Sequence, residues 1–147
     1  MRVQGLPVVR VHEDAQLPAR AHADDAGLDL RTIEDVEIPP GERRRVRTGL
    51  RMAIPPGHAG LVLPRSGLAL RSGLTLLNTP GLIDPGYRGD VDVIALNTDQ
   101  HEPVRLARGD RVAQLVLVRL AELEPHEVTE LAASERGEGG FGSSGSA

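Results

Sequence analysis

Val91-Asp92-Val93-Ile94-Ala95-Leu96 runs into Asn97-Thr98-Asp99, and Arg108-Gly109-Asp110 opens Val112-Ala113-Gln114-Leu115-Val116-Leu117-Val118. Val91–Ile94 alternates polar with apolar side chains, the period-2 signature of a half-buried strand. The second run is apolar on both faces except for Gln114, which suits a strand covered by another sheet or another subunit. Working outward, the same kind of segment recurs at Leu6–Val11, Val36–Ile38, Val46–Ile54, Gly60–Leu63 and Leu74–Leu77. Turn signals separate them: Pro39-Pro40-Gly41, Pro55-Pro56-Gly57 and Pro80-Gly81. Short strands at this spacing predict an all-β sandwich, jelly roll or barrel. One short helix is predicted, around Ser66–Ser72. From about Ala133 the apolar pattern stops and Gly, Ser and Glu take over, which predicts a flexible arm.

Composition narrows the chemistry. A chain of 147 residues reads as one domain, long enough to bury roughly 68–70% of its unfolded surface. It has no cysteine, so disulfides, thiolate metal sites and Cys nucleophiles are excluded. All 17 basic residues are Arg, which removes a Walker A lysine, a Schiff-base lysine and a Ser–Lys dyad. Phosphate binding must then use Arg forks, backbone N–H groups, hydroxyls or metal. A net charge of -4 argues against a dedicated nucleic-acid binder. No apolar run suits a membrane span, and no apolar leader opens the chain, so a cytoplasmic location is expected.

The aromatic residues are the oddest feature. Only Tyr87 and Phe141 are present. Tyr87 stands in the turn-rich run Pro85-Gly86-Tyr87-Arg88-Gly89-Asp90, and Phe141 stands in the Gly/Ser tail. A domain normally spends its rings on burial, so the core here must be Val, Leu, Ile and Ala. A ring on a mobile tail suits the covering of a flat ligand, and a nucleobase is the obvious one.

Some motif matches fail their context. Gly137-Glu138-Gly139-Gly140-Phe141-Gly142 satisfies G-x-G-x-x-G, yet no helix follows it. Arg88-Gly89-Asp90 and Arg108-Gly109-Asp110 spell an adhesion tripeptide in a chain with no sign of secretion. The five His residues lack metal-binding spacing.

Five segments carry chemistry together. Ala26-Gly27-Leu28-Asp29-Leu30 sets a carboxylate between apolar residues. Pro64-Arg65-Ser66-Gly67-Leu68-Ala69 sets Arg and a hydroxyl beside Gly at a strand-to-helix junction, a place suited to anions. Asn78 through Gly89 combines an amide, a carboxylate at Asp84, a phenol ring and a tight Gly/Pro turn. Gln114 interrupts an apolar strand. Arg136 through Gly145 supplies Arg, hydroxyls and mobile backbone around the lone Phe. Singly each has an ordinary structural explanation, such as a cap, a cross-strand bond or a disordered tail. Jointly they describe a polyphosphate site with a water-activating carboxylate and a base-stacking lid.

In this order and spacing, from about Leu17 to Gly145, the five segments resemble the motifs of the trimeric deoxyuridine triphosphate nucleotidohydrolases, the dUTPases, of an actinobacterial kind. The resemblance implies a jelly-roll-like β-clip fold with one short helix, a β domain over 1–132 and a flexible arm over 133–147. It implies a homotrimer with three interfacial sites. The first, second and fourth motifs would come from one subunit, the third from a neighbour and the arm from the remaining one. The implied reaction is cleavage of dUTP to dUMP and pyrophosphate with Mg²⁺, which limits uracil in DNA and supplies dUMP for dTMP synthesis. No nucleic acid and no membrane would be partners.

By this resemblance Asp84 orients and deprotonates the attacking water; with a reference pKa of about 3.9 an Asp is ionised at neutral pH. Asn78 and the backbone of Gly81, Leu82, Ile83 and Asp84 would read the uracil edge, with Asp92 beside them. Tyr87 would pack on the deoxyribose and leave no room for a 2′-hydroxyl. Arg65, Ser66, Gly67 and Gln114 would hold the phosphates. Arg136, Gly142, Ser143 and Ser144 would grip the γ-phosphate while Phe141 covers the base. Mg²⁺ would sit chiefly on triphosphate oxygens and water, with Asp29 in its outer shell. Asp90 and Asp92 depart from the pattern, which usually has Glu at the first position and a longer residue at the second. Two rival readings remain open: a dCTP deaminase of the same fold, and a non-enzymatic β-sandwich binding module.

Overall fold

The computed structural model describes residues 5–145; residues 1–4 and 146–147, at the outer ends of the two expected units, lie outside it. In chain order the elements are β1 (Val8–Arg10), β2 (Leu28–Arg31), β3 (Val36–Ile38), β4 (Arg43–Arg47), β5 (Leu50–Met52) and β6 (His58–Leu63). Then come α1 (Ser66–Ser72), β7 (Leu74–Leu76), β8 (Gly81–Ile83), β9 (Asp92–Asn97), β10 (Val104–Leu106) and β11 (Arg111–Arg119). The chain is therefore all-β with one short helix, as its patterning predicts.

The largest sheet runs β2-β11-β6-β8 and a second runs β4-β9-β7; the pairs β1-β5 and β10-β3 complete the jelly-roll-like body. Every pairing among these strands is antiparallel. The core between the sheets is aliphatic. Leu30, Ile38, Val46, Leu50, Ile54, Leu74, Val93, Val112 and Leu115 are its largest fully buried apolar members. Both aromatic rings stay outside it: Tyr87 is 45% exposed and Phe141 is fully exposed. Buried polar groups are paired, as burial demands. Asn97 Nδ2 donates to the carbonyls of Ile38 at 3.0 Å and Glu102 at 2.9 Å, and the Thr48 hydroxyl donates to the Val91 carbonyl.

The structure departs from the expected strands in two places. Val46–Ile54 is not one strand but the end of β4 and all of β5. Gly49 breaks it with φ of 68°, a left-handed turn that a side chain disfavours. A Cβ there would also lie 2.9 Å from the Cβ atoms of Ala15 and His12. Second, Gly81 does not belong to a turn. It opens β8, which pairs with β6 through Val62↔Gly81, Leu61↔Leu82 and Gly60↔Ile83.

Beyond β11 the chain leaves the body. The Leu120 N–H still donates to the Gly57 carbonyl at 2.9 Å, and residues 121–138 are exposed throughout. Local turns alone organise the segment around Phe141. The Arg136 guanidinium donates to the Gly139 carbonyl at 2.7 Å, and the Ser143 N–H donates to the Gly140 carbonyl at 3.0 Å.

Candidate active site

One end of the β2-β11-β6-β8 sheet gathers the anion-binding candidates. Asp29, Gln114 and Leu63 are register partners across β2, β11 and β6, so their side chains share one face. Leu30, Ala113, Leu115 and Val62 occupy the opposite, buried face. Pro64 then ends β6, since it lacks the N–H to continue the ladder. Arg65 follows in extended conformation (φ −101°, ψ 127°), and α1 begins at Ser66 with no side chain capping it. Its first N–H groups therefore have no partner within the helix.

Asp29, Arg65, Ser66, Gly67, Arg111 and Gln114 line a polar cleft of about 370 Å³, with His22 and Asp25 at its rim. The Asp29 carboxylate is mostly buried between two guanidinium groups, 3.3 Å from Arg111 Nη1 and 3.9 Å from Arg65 Nε. Gln114 Nε2 donates to the Pro64 carbonyl at 2.8 Å, which fixes the amide at the cleft wall. Gly27 leaves room for it, because a Cβ there would displace Gln114 Oε1. Burial lowers the pKa of Arg65, and Arg111 lowers it further, against the opposing pull of Asp29. Two cations thus share one carboxylate, an arrangement with positive charge to spare for an anion.

At the far edge of the same sheet lies a second cleft, of about 280 Å³. Asn78, Gly81, Leu82, Ile83, Asp84 and Tyr87 line one side of it, and Asp90–Ile94 line the other. β8 is an edge strand, so its outer row of peptide groups has no sheet partner and can meet a flat polar ligand. The β7–β9 ladder ends where the Leu77 N–H donates to the Ile94 carbonyl at 2.9 Å. The Asp92–Val93 backbone beyond that point borders the cleft. Asp84 directly follows β8. It is exposed, and its carboxylate takes no hydrogen bond or ion pair among the described residues. The Asp92 carboxylate is instead engaged by Arg45 Nε at 2.6 Å, and this bond raises the Arg45 pKa.

The two clefts share no lining residue. Three strand spacings separate β2 from β8, about 14 Å across the sheet. The structure therefore brings Asp29, Arg65, Ser66, Gly67 and Gln114 together, and separately Asn78, Gly81, Leu82, Ile83, Asp84, Tyr87 and Asp92. It brings Arg136, Phe141, Gly142, Ser143 and Ser144 to neither. Sequence reasoning missed Arg111, Arg45 and Arg51. Arg111 lies inside a segment singled out for Gln114, but its pairing with Asp29 spans 82 positions.

Among the described residues no three His, Cys, Asp or Glu side chains converge into a metal cage. An Arg-lined cleft with Asp29 inside it and Asp25 at its rim suits a cation carried mainly by phosphate oxygens and water, the usual habit of Mg²⁺.

The dUTPase family profile matches residues 13–145. The deoxyuridine 5'-triphosphate nucleotidohydrolase of Thermobifida fusca (strain YX) is 55% identical over 136 residues, covering 92% of this chain and 76% of that protein. Its counterpart in Mycolicibacterium gilvum (strain PYR-GCK) is 52% identical over 145 residues, covering 95% and 94%. The dUTPase of Staphylococcus bacteriophage 80alpha, solved with dUPNHPP, superposes with a TM-score of 0.89 at 33% identity, covering 97% of this chain and 99% of that one. A mutant dUTPase from phage phi11 of S. aureus superposes with a TM-score of 0.81 at 28% identity over 88% and 100%, and its structure reports the coordination of a structural Mg(II) ion. By the family profile over most of its length and by these relatives, the chain belongs to the dUTPase family.

Proposed function

We propose that the protein hydrolyses dUTP to dUMP and pyrophosphate, limiting uracil incorporation into DNA and supplying dUMP for dTMP synthesis. The observation that carries this reading is the second cleft. It joins an edge strand able to read a base, a phenol ring beside it and the uncommitted carboxylate of Asp84. Asp84 orients a water and takes its proton as the oxygen attacks the α-phosphorus. The bond from that phosphorus to the bridging oxygen breaks, and pyrophosphate leaves. Asn78 and the backbone of Gly81–Ile83 hold the uracil edge. Asp92 takes part through its backbone, since Arg45 holds its carboxylate.

The Arg-lined cleft binds the triphosphate through Arg65, Ser66, Gly67 and Gln114. Mg²⁺, held by phosphate oxygens and water with Asp29 in the outer shell, would supply charge neutralisation there. The two clefts share no lining residue, and β2, which carries Asp29, stands at the opposite edge of the sheet from β8, which Asp84 follows. A complete site therefore joins the phosphate cleft of one subunit to the uracil cleft of another in a homotrimer. Residues 133–147 form the arm that closes over it, with Phe141 on the uracil and Arg136, Gly142, Ser143 and Ser144 on the γ-phosphate. Closure excludes water from side reactions and aligns the α-phosphorus.

Pyrophosphate release from dUTP, dCTP, dTTP and UTP, with and without Mg²⁺, tests the reading. Release confined to dUTP and dependent on Mg²⁺ is expected. Ammonia release from dCTP would replace the reading with that of a deaminase.

A further inference from the structure

The turn that carries Tyr87 hangs from the body by few ties. Within it the Tyr87 N–H donates to the Asp84 carbonyl at 3.1 Å, and Arg88 Nη1 donates to the Pro85 carbonyl at 2.6 Å. These bonds shape the turn but do not set its distance from the sheets. The phenol does more: Tyr87 Oη donates to the Asp90 carbonyl at 2.9 Å. The ring lies over Gly89, where a Cβ would fall 2.5 Å from the phenol oxygen. The ring position thus follows the position of Asp90.

Asp90 in turn is gripped from outside the turn. Arg51 Nε donates to Asp90 Oδ1 at 2.6 Å. Arg51 is the central residue of β5, with Leu50 and Met52 buried on either side. The Leu50 carbonyl accepts the Val91 N–H at 2.8 Å, so the chain just past Asp90 is tied to the same strand. Arg51 is therefore anchored in the core-facing strand and reaches out to the Tyr87 side of the cleft. Arg51 and Asp90 are both substantially exposed, and an exposed ion pair contributes little to folding stability. Positional control explains this geometry better than stabilisation does.

We propose that Arg51 is a positioning residue for sugar selection: through Asp90 it sets how close the Tyr87 ring stands to the bound sugar, and hence how strictly a 2′-hydroxyl is excluded. The proposal rests on the reading of Tyr87 as the residue that packs against the deoxyribose. The Asp90 side chain is short, and the long Arg51 side chain supplies the reach that closes the pair at 2.6 Å. The Leu50–Val91 bond holds the peptide that carries the Asp90 carbonyl, and the Arg51–Asp90 pair fixes its tilt; without that pair the carbonyl and the ring bonded to it gain freedom to swing back, and a ribonucleotide fits.

The test uses the full-length enzyme and measures kcat/KM for dUTP and UTP in Arg51→Met, Arg51→Lys, Asp90→Asn and Tyr87→Ala. Arg51→Met and Asp90→Asn should each raise the UTP-to-dUTP ratio of kcat/KM by about tenfold, mainly through KM, as expected for a displaced positioning group. Arg51→Lys should restore much of the discrimination, and Tm should barely move in all three. If Tyr87→Ala raises the ratio while folded Arg51→Met and Asp90→Asn leave it unchanged, the positioning role is overturned and the sugar reading stands. If Tyr87→Ala itself leaves the ratio unchanged, the sugar reading fails and the proposal falls with it.

Discussion

Phe141→Ala separates a lid residue from a packing residue. Phe141 is fully exposed, so removing its ring leaves no cavity in the body. A buried Phe→Ala change costs about 3–5 kcal/mol; here the stability change should stay within about 0.5 kcal/mol. The loss belongs to the closed complex. Base–aromatic stacking contributes about 1–3 kcal/mol, and each 1.4 kcal/mol is about tenfold in rate. The variant should therefore lose about 5- to 150-fold in kcat/KM for dUTP, and Phe141→Trp should retain most of it. Continuous pyrophosphate release gives the kinetics, and thermal unfolding of the same preparation gives the stability. An unchanged kcat/KM would remove Phe141 from the lid. A fall of more than about 4 °C in Tm, equivalent to roughly 1 kcal/mol or more in a chain of this size, would mean that the ring packs permanently against protein.

Three further outcomes follow from the site and its surroundings. Asp84→Asn should bind dUTP with near-normal affinity while kcat falls by about 10²–10⁴, the range for a lost general base; near-normal turnover would reassign water activation. Gly27→Ala should push Gln114 from its place at the wall of the phosphate cleft. The amide can swing into the open cleft, so Tm should change little while KM for dUTP rises; an unchanged KM would remove Gln114 from phosphate binding. The carboxyls of Asp25, Asp90 and Asp99 are held below their usual range, by the His22 backbone N–H, by Arg51 and by the Glu102 N–H respectively. Groups with a depressed folded-state pKa stabilise above the ordinary carboxyl value of about 3.9 and lose that contribution as pH falls through the folded value. Asp25 and Asp99, whose carboxylates accept backbone N–H bonds, should leave Tm unaffected between pH 7 and about 5 and pull it down below about pH 4, while the exposed Arg51–Asp90 pair adds little to that limb. Asp99→Ala should flatten the acid limb of a Tm-against-pH curve.

The sequence shows some parts of this structure far better than others. Ser66–Ser72 is helical over the expected residues because Pro64 and Gly73 bracket it. β9 and β11 stand out because their apolar runs are bounded by clear turns. β2 and β10 do not: each has three or four residues, too few for periodicity to register, and charged side chains interrupt both. β8 hides behind Pro80-Gly81, where turn composition outweighs a pairing that only β6 supplies. In the site, groups adjacent along the chain are legible, such as Arg65-Ser66-Gly67 and Asn78 through Tyr87. The ties that hold them are not. Arg51–Asp90 and Arg45–Asp92 join residues 39 and 47 positions apart, and no local pattern marks such partners.

The separation of the two clefts also has a genetic meaning. If a site is assembled from two chains, a chain carrying Asp84→Asn still offers a sound phosphate cleft. A chain carrying Arg65→Ala still offers a sound uracil cleft. Each variant alone is silent, yet unfolding and refolding them together should restore activity, because some pairings unite the two intact halves. Random association of equal amounts gives about one productive pairing in four. Catalysis in this family member would then belong to the contact between copies rather than to any one polypeptide, and two defective alleles could rescue each other in one cell.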